Sequence, residues 1–213
     1  MIFSKQKDFQ TILGFLKDKE NIFLVGCGDC ATTCKSGGQE QLEQIKLKLE
    51  EAGKNVTGAV VAEVACISSQ MKILMATNKR VLEKSDAVLV FACGSGVQCF
   101  KENDRLGKDV FSGCDSIFAT IIDAQNRFIE VCSSCGECIL DLTEGICPIT
   151  RCPKGLLNGP CGGQKDGKCE TDRKKDCAWV LIYKAKEAKK RLLDLEKPIS
   201  PKDYSKAMRP HYI

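Results

Sequence analysis

Eight cysteines fall between Cys132 and Cys177, in a run that reads CSSCGECILDLTEGICPITRCPKGLLNGPCGGQKDGKCETDRKKDC. The run is poor in branched apolar residues and rich in Gly, Pro, Asn and Asp, so it lacks the side chains from which a core is built. A module of this kind needs metal or another staple to hold one fold. Seven further cysteines lie upstream, at 27, 30, 34, 66, 93, 99 and 114, while the chain has a single histidine, His211. Many thiols beside almost no imidazole predict metal held by sulfur, and argue against acid–base chemistry on histidine.

The chain's 213 residues suffice for one large domain or two small ones, and 43% hydrophobic content allows a core elsewhere. The formal charge of +4 is mild and aromatic residues are few, so no nucleic-acid partner is expected. The N-terminal stretch MIFSKQKDFQTILGFLKDKE has no long apolar segment, so neither a signal peptide nor a membrane span is expected. A cytoplasmic location is then the default. In a reducing compartment cysteines ligate metals or catalyse more often than they pair, and an odd total fits poorly with a complete disulfide framework.

Apolar periodicity outlines an α/β domain over residues 1–127. Residues 4–18 read as an amphipathic helix, 22–26 as a buried strand, and 40–52 as a helix closed by Gly53. Strand 56–65 follows, then a helix from Ser68 to about Lys84, strand 87–92, a helix beginning near Val97, and strand 116–122. Alternating strands and helices predict a parallel, flavodoxin-like sheet. Residues 128–195 read as a cysteine-rich, ferredoxin-like metal-binding domain. Its C-terminal helix, 178–195, is anchored by Trp179, Ile182 and Leu193. Residues 196–213 hold three prolines and no period, and read as an extended tail suited to lie along a partner.

The upstream cysteines sit where this fold places ligands. GCGDCATTC supplies Cys27, Cys30 and Cys34 at the end of the first buried strand; Cys66 closes the second and Cys93 the third. Carboxyl ends of parallel strands share one edge, where ligands bind. Four thiolates there suit a [4Fe–4S] cluster, with Cys30, Cys34, Cys66 and Cys93 the preferred set and Cys27 the first substitute. Gly26 and Gly28 would let backbone N–H groups approach the sulfurs. The competing reading makes Cys66 and Cys93 small buried hydrophobes. Cys99 and Cys114 are weaker candidates. The two-then-three spacing of Cys27, Cys30 and Cys34 reverses that of radical S-adenosylmethionine motifs. Gly94-x-Gly96 lacks the third glycine of a dinucleotide fingerprint and reads as a tight turn beside a cluster.

Downstream, Cys132-x2-Cys135-x2-Cys138 matches the first three ligands of a bacterial ferredoxin run. Cys147-Pro148 resembles its terminal Cys-Pro, although eight residues intervene here where a ferredoxin has three. Cys152, Cys161, Cys169 and Cys177 follow at wider intervals. One cluster with spare thiols, two clusters, or a cluster plus zinc all remain open. Gly162 and Gly163 offer backbone donors beside Cys161, and Cys177 opens a helix whose dipole favours negative charge. Both details suit a four-thiolate zinc site as well, although C-x2-C-x2-C is less typical of zinc than paired C-x2-C knuckles.

The blocks GCGDCATTC, ACGSGVQ, CSSCGECILDLTEGICPITRCPKGLLNGPCGG and DCAWVLIY together resemble the methylenetetrahydrofolate reductase C-terminal-like domain family. Its members are small iron–sulfur subunits that stand beside a flavin-bearing reductase subunit in acetogenic and related bacteria. The resemblance spans roughly residues 20–185, and LNGPCGG and DCAW are its most specific blocks. It implies a part in reducing 5,10-methylenetetrahydrofolate to 5-methyltetrahydrofolate in the one-carbon metabolism of the Wood–Ljungdahl pathway. Flavin and folate would lie on a TIM-barrel partner. Two or three [4Fe–4S] clusters, with zinc at one site, are implied for this subunit, without a partition of cysteines among them.

Two functions follow as expectations. In the first, the chain is an electron-transfer subunit of an oxidoreductase complex, carrying no complete active site. It relays electrons from ferredoxin or another low-potential donor to the flavin. In the second, zinc or a redox-silent cluster merely folds an interaction module that clamps the catalytic subunit. An independent folate enzyme would need an acid–base pair. Only Glu63 and Asp123 stand near strand ends, where salt-bridged or solvated roles are usual.

Overall fold

A computed structural model describes residues 1–211. The chain divides into two compact units, Met1–Phe118 and Ala119 onward, whereas composition alone suggests a boundary after Arg127.

The first unit runs β1 (Ile2–Gln6), α1 (Phe9–Phe15), β2 (Asn21–Cys27), α2 (Cys30–Thr33), α3 (Gln39–Glu51), β3 (Asn55–Ala62), α4 (Ser68–Thr77), α5 (Lys79–Glu83), β4 (Ala87–Phe91), α6 (Gly94–Asn103) and β5 (Asp109–Ser112), and then enters β6 (Cys114–Ile122). Strands β3-β2-β4-β5 form one sheet in that order, every pairing parallel. The expected α/β class and parallel sheet are therefore present. Successive residues of a strand point to opposite faces, so β4, and β2 after Asn21, apolar throughout, bury both. Phe23, Val25, Val88 and Val90 face Met71, Leu74 and Phe100 of α4 and α6. Ile22, Leu24, Leu89 and Phe91 face Ile12, Leu42, Ile45 and Leu49 of α1 and α3. Chain order reverses between β2 and β4, which makes the carboxyl edge there the crevice of the sheet.

Several expectations change. The first helix is shorter than 4–18: Ile2–Gln6 is a strand beside β6, and Asp8 caps α1 by accepting from the amides of Gln10 and Thr11. The 68–84 helix breaks at Asn78, whose side-chain amide donates to Leu74 O at 2.8 Å and competes with the helical ladder. Ser68 does not cap α4; its hydroxyl donates to Asn103 Oδ1 instead. The fourth strand of the parallel sheet is the short β5, not 116–122.

That apolar stretch lies in β6, whose end begins the second unit. It pairs antiparallel with β7 (Phe128–Cys132), Ile122 opposite Phe128 and Ala119 opposite Cys132. Asp123 shapes the turn by accepting from the amides of Gln125 and Arg127 and pairing with the Arg127 guanidinium. Three exposed isoleucines, Ile117, Ile121 and Ile122, distinguish β6 from the two-sided burial of β4. Two helices follow, α7 (Pro148–Arg151) and α8 (Ala178–Ala188). Among its described residues the second unit buries few apolar side chains: Ile139, Pro148, Cys169, Ala178, Trp179 and Ile182.

The closing helix stops at Ala188, short of Leu195, because Lys190 turns into the left-handed region at φ 57°. Leu193 is 73% exposed and anchors nothing. The buried anchor is Lys186, which pairs with Glu144 at 3.7 Å and Asp194 at 3.2 Å. Lys189 and Arg191 also reach Glu144, and together these cations hold its carboxyl below the usual carboxylate range, Lys189 foremost. The tail folds back on its own unit: Asn158 brackets Ile199 with two hydrogen bonds of 2.8 Å, and Lys202 is buried. Tyr212 and Ile213 lie outside the described residues.

Candidate metal centre

Strand ends and helix ends deliver the cysteines. Upstream, Cys27 ends β2, Cys30 and Cys34 frame α2, Cys66 follows β3, and Cys93 precedes α6, which carries Cys99. The preferred set does not assemble as expected. Residues four apart on a helical turn share a face, and that face of α2 is turned toward β1, where Cys34 Sγ donates to Ile2 O at 3.7 Å. Cys66 instead neighbours Cys93, Cys27 and Cys99. Its thiol is pushed up by burial and then by Cys93, and that of Cys99 by burial and then by Cys66. Cys30 is also pushed up, chiefly by burial. Cys114 is fully enclosed beside Ser36 O at 3.4 Å, and burial pushes its thiol to about 12; it packs as a small apolar side chain.

The glycines of this edge serve packing. An added Cβ at Gly26 would stand 2.4 Å from Gly37 O. The Gly28 amide donates to Ala62 O at 2.7 Å, and the Gly94 amide to Ser116 Oγ at 2.8 Å, so neither approaches a sulfur. The Asn103 amide stands 3.8 Å from Cys99 Sγ, the Ile2 backbone supports Cys30 and the Ser36 side chain supports Cys114. The upstream thiols thus divide between the β1 side of α2 and the strand ends around Cys66.

The second unit differs. In the loop after β7, Ser134 (φ 53°) and Gly136 (φ 77°) both take left-handed backbone between the cysteines of CSSCGEC. Alternation of this sort turns successive amides inward as an anion-binding concavity, and the Ser134 amide donates to Cys132 Sγ at 3.4 Å. A non-glycine residue held there is strained and points to a functional constraint. Helix α7 packs against β7 and carries Cys147 and Cys152 at its two ends. Cys138 opens on a cavity of about 800 Å³, also lined by Trp179, Lys186 and Lys202.

Residues 111–205 match the family described as Methylene-tetrahydrofolate reductase C terminal.

No curated protein and no solved structure gives a significant match. The part of the chain that matches this reductase C-terminal family holds all eight downstream cysteines together with Cys114. Four of them come together: Cys152, Cys161, Cys169 and Cys177 line one cavity with Leu156, Ala178 and Trp179. Its free space, about 10 Å³, is roughly that of one water molecule. Paired backbone bonds hold the site, Cys169 N to Lys175 O at 2.9 Å and Cys177 N to Gly167 O at 2.8 Å. Thr171 bonds to Cys169 Sγ at 3.2 Å, and this contact, with backbone amides, holds the Cys169 thiol below its ordinary value. Trp179 closes the site, its indole N–H donating to Leu156 O at 2.9 Å and its ring lying on Gly159.

All fifteen cysteines are free thiols here, and among the described residues no three Cys, His, Asp or Glu side chains stand at metal-ligating separation. The donor chemistry of the second unit nevertheless fits thiolate ligation: a curled loop with an amide on sulfur, and four thiols on one atom-sized cavity. Thr171, Ser134 and Lys202 carry no motif that sequence inspection would single out. At Gly163 the Glu170 carboxylate lies over the position a Cβ would take. Gly162 (φ 80°) supplies a left-handed turn. Glu63 accepts from Gln70 at 3.4 Å and Asp123 is committed to its turn, so neither is poised as a base. No helix among the described residues is long and apolar enough to cross a membrane.

Proposed function

We propose that this chain is the electron-transfer subunit of a methylenetetrahydrofolate reductase. It takes electrons from a low-potential donor such as ferredoxin and passes them to the flavin of a folate-binding TIM-barrel partner in the cytoplasm. The observation that carries the reading is the Cys132–Cys138 loop, curled by two left-handed residues within the segment that matches the reductase family. Cys132, Cys135 and Cys138, with Cys147, would hold a [4Fe–4S] cluster, which supplies one-electron chemistry when bound. The chain's own contribution is to fix the sulfurs and to direct the Ser134 amide at Cys132. Cys152, Cys161, Cys169 and Cys177 would hold a single zinc ion, since four thiols around space for one atom suit a closed tetrahedral site.

The atom-sized cavity also favours the second reading, in which zinc alone folds an interaction module that clamps the catalytic subunit. Zinc is redox-inert, so metal content separates the two. In the electron-transfer reading, the full chain purified without oxygen is brown and bleaches on dithionite. Cys135→Ala or Cys138→Ala removes iron and abolishes ferredoxin-linked turnover with the flavin subunit, while turnover with an artificial donor to that subunit survives. Full ferredoxin-linked turnover in either variant would contradict the assignment.

A further inference from the structure

The tail beyond Glu196 returns to the loop that carries Cys135 and Cys138. Its contacts converge on one residue, Glu137, which stands between those cysteines. The Asp203 amide donates to Glu137 Oε2 at 2.8 Å, Lys206 Nζ donates to Oε1 at 2.7 Å, and Lys202 Nζ donates to the Glu137 backbone carbonyl. The tail backbone lies on Gly136, where a Cβ would stand 2.3 Å from Lys206 O. Asn158 pins the same tail at Ile199.

Lys202 is the unusual member. Its side chain is buried, at 7% exposure, and a buried ammonium is costly unless negative charge or strong acceptors surround it. The Glu137 carboxylate is already shared by Lys206 and the Asp203 amide, and the direct acceptor of Lys202 is a neutral carbonyl. Cys135 Sγ donates to that same carbonyl at 3.7 Å. Sharing an acceptor places the ammonium and the sulfur within roughly 6 Å, the range in which a positive charge favours an anion.

We propose that residues 198–207 form a strap that fixes the Cys135–Cys138 loop, and that Lys202 is a positioning residue whose buried ammonium offsets the negative charge of the centre held there. Once Cys135 is a thiolate ligand it no longer donates, and Lys202 remains the side-chain donor that satisfies the Glu137 carbonyl. The charge part of the proposal rests on the cluster reading above. The strap part does not.

The test uses the full chain with Lys202→Met and Lys202→Arg, each reconstituted anaerobically with iron and sulfide. Loss of a charge-assisted hydrogen bond should speed amide exchange at residues 134–138 by about tenfold in Lys202→Met. Iron content should hold while the midpoint potential of the visible signal becomes more negative. Lys202→Arg should restore both exchange and potential. A purely structural lysine would change exchange or iron content without moving the potential, and that result overturns the charge role. Unchanged exchange at residues 134–138 overturns the strap. If the wild-type chain takes up no iron, the cluster reading fails and the charge role with it, while the exchange comparison in the zinc-loaded chain still decides the strap.

Discussion

Trp179→Ala should unfold the second unit while leaving the first intact. Trp179 is 5% exposed and is one of the few buried apolar side chains among the described residues of its unit. Removing a buried Trp side chain costs about 3–5 kcal/mol. The Leu156 carbonyl also loses its 2.9 Å indole donor, which adds about 1–3 kcal/mol where water cannot replace it. For a unit of this size each kcal/mol moves the midpoint by roughly 4–8 °C, so the second unit should melt lower by about 15 °C or more. Trp179→Phe keeps most of the ring area and loses only the donor, so it should cost about 1–2 kcal/mol. Hydrogen exchange resolved by peptide is the assay, because the chain has one tryptophan and the variant loses its fluorescence. Peptides from 152–182 should lose protection while those from β2 and β4 keep theirs. Equal loss in both units, or wild-type protection throughout, would refute the claim that Trp179 organises a separate, sparsely packed unit.

Other consequences are local. Gly37→Ala would set a Cβ 1.9 Å from the Phe91 carbonyl, and backbone cannot yield as a side chain does; a loss of about 3 kcal/mol or more by urea unfolding is expected. Lys54 donates to the carbonyls of Leu16 at 2.7 Å and Lys19 at 2.8 Å, so Lys54→Met should destabilise the first unit by about 1.5–3 kcal/mol in the same assay. The Asn21 amide, then that of Glu20, holds the Asp86 carboxyl below its ordinary value. Its stabilising effect is therefore complete above the unfolded pKa, about 3.9, and is lost as pH falls through the lower folded value. Asp86→Asn should flatten the acid limb of the stability curve. Cys169→Ser should remove bound zinc and leave iron in place.

Much of the first unit was legible because its signals are strong. The runs in β2 and β4 are apolar on both faces, and Leu42, Ile45 and Leu49 mark one face of α3. The strand β5 was not, since four residues with mixed burial carry no period. The hairpin of β6 and β7 was misplaced because SIFATII reads as continuous hydrophobic sequence when half of it faces outward. For the candidate site, spacing identified the cysteines but not their grouping. A strand-end rule brings Cys66 and Cys93 together correctly and says nothing of the turn of α2 that takes Cys30 and Cys34 away. The grouping of Cys152, Cys161, Cys169 and Cys177 depends on bonds among irregular loops, such as Cys177 N to Gly167 O, which leave no periodic trace. The tail reads as extended, with nothing to place it on its own unit, for the same reason: its anchors are single polar contacts from Asn158 and Glu137.

Metal and sulfide analysis of the anaerobically purified full chain, beside its Cys135→Ser and Cys169→Ser variants, tests the central claim most directly. Iron and acid-labile sulfide are expected in the proportions of a [4Fe–4S] cluster, about four of each, with about one zinc ion. Iron and sulfide should disappear in Cys135→Ser, and zinc in Cys169→Ser. A colourless chain with zinc alone, and neither iron nor sulfide, would contradict the electron-transfer function.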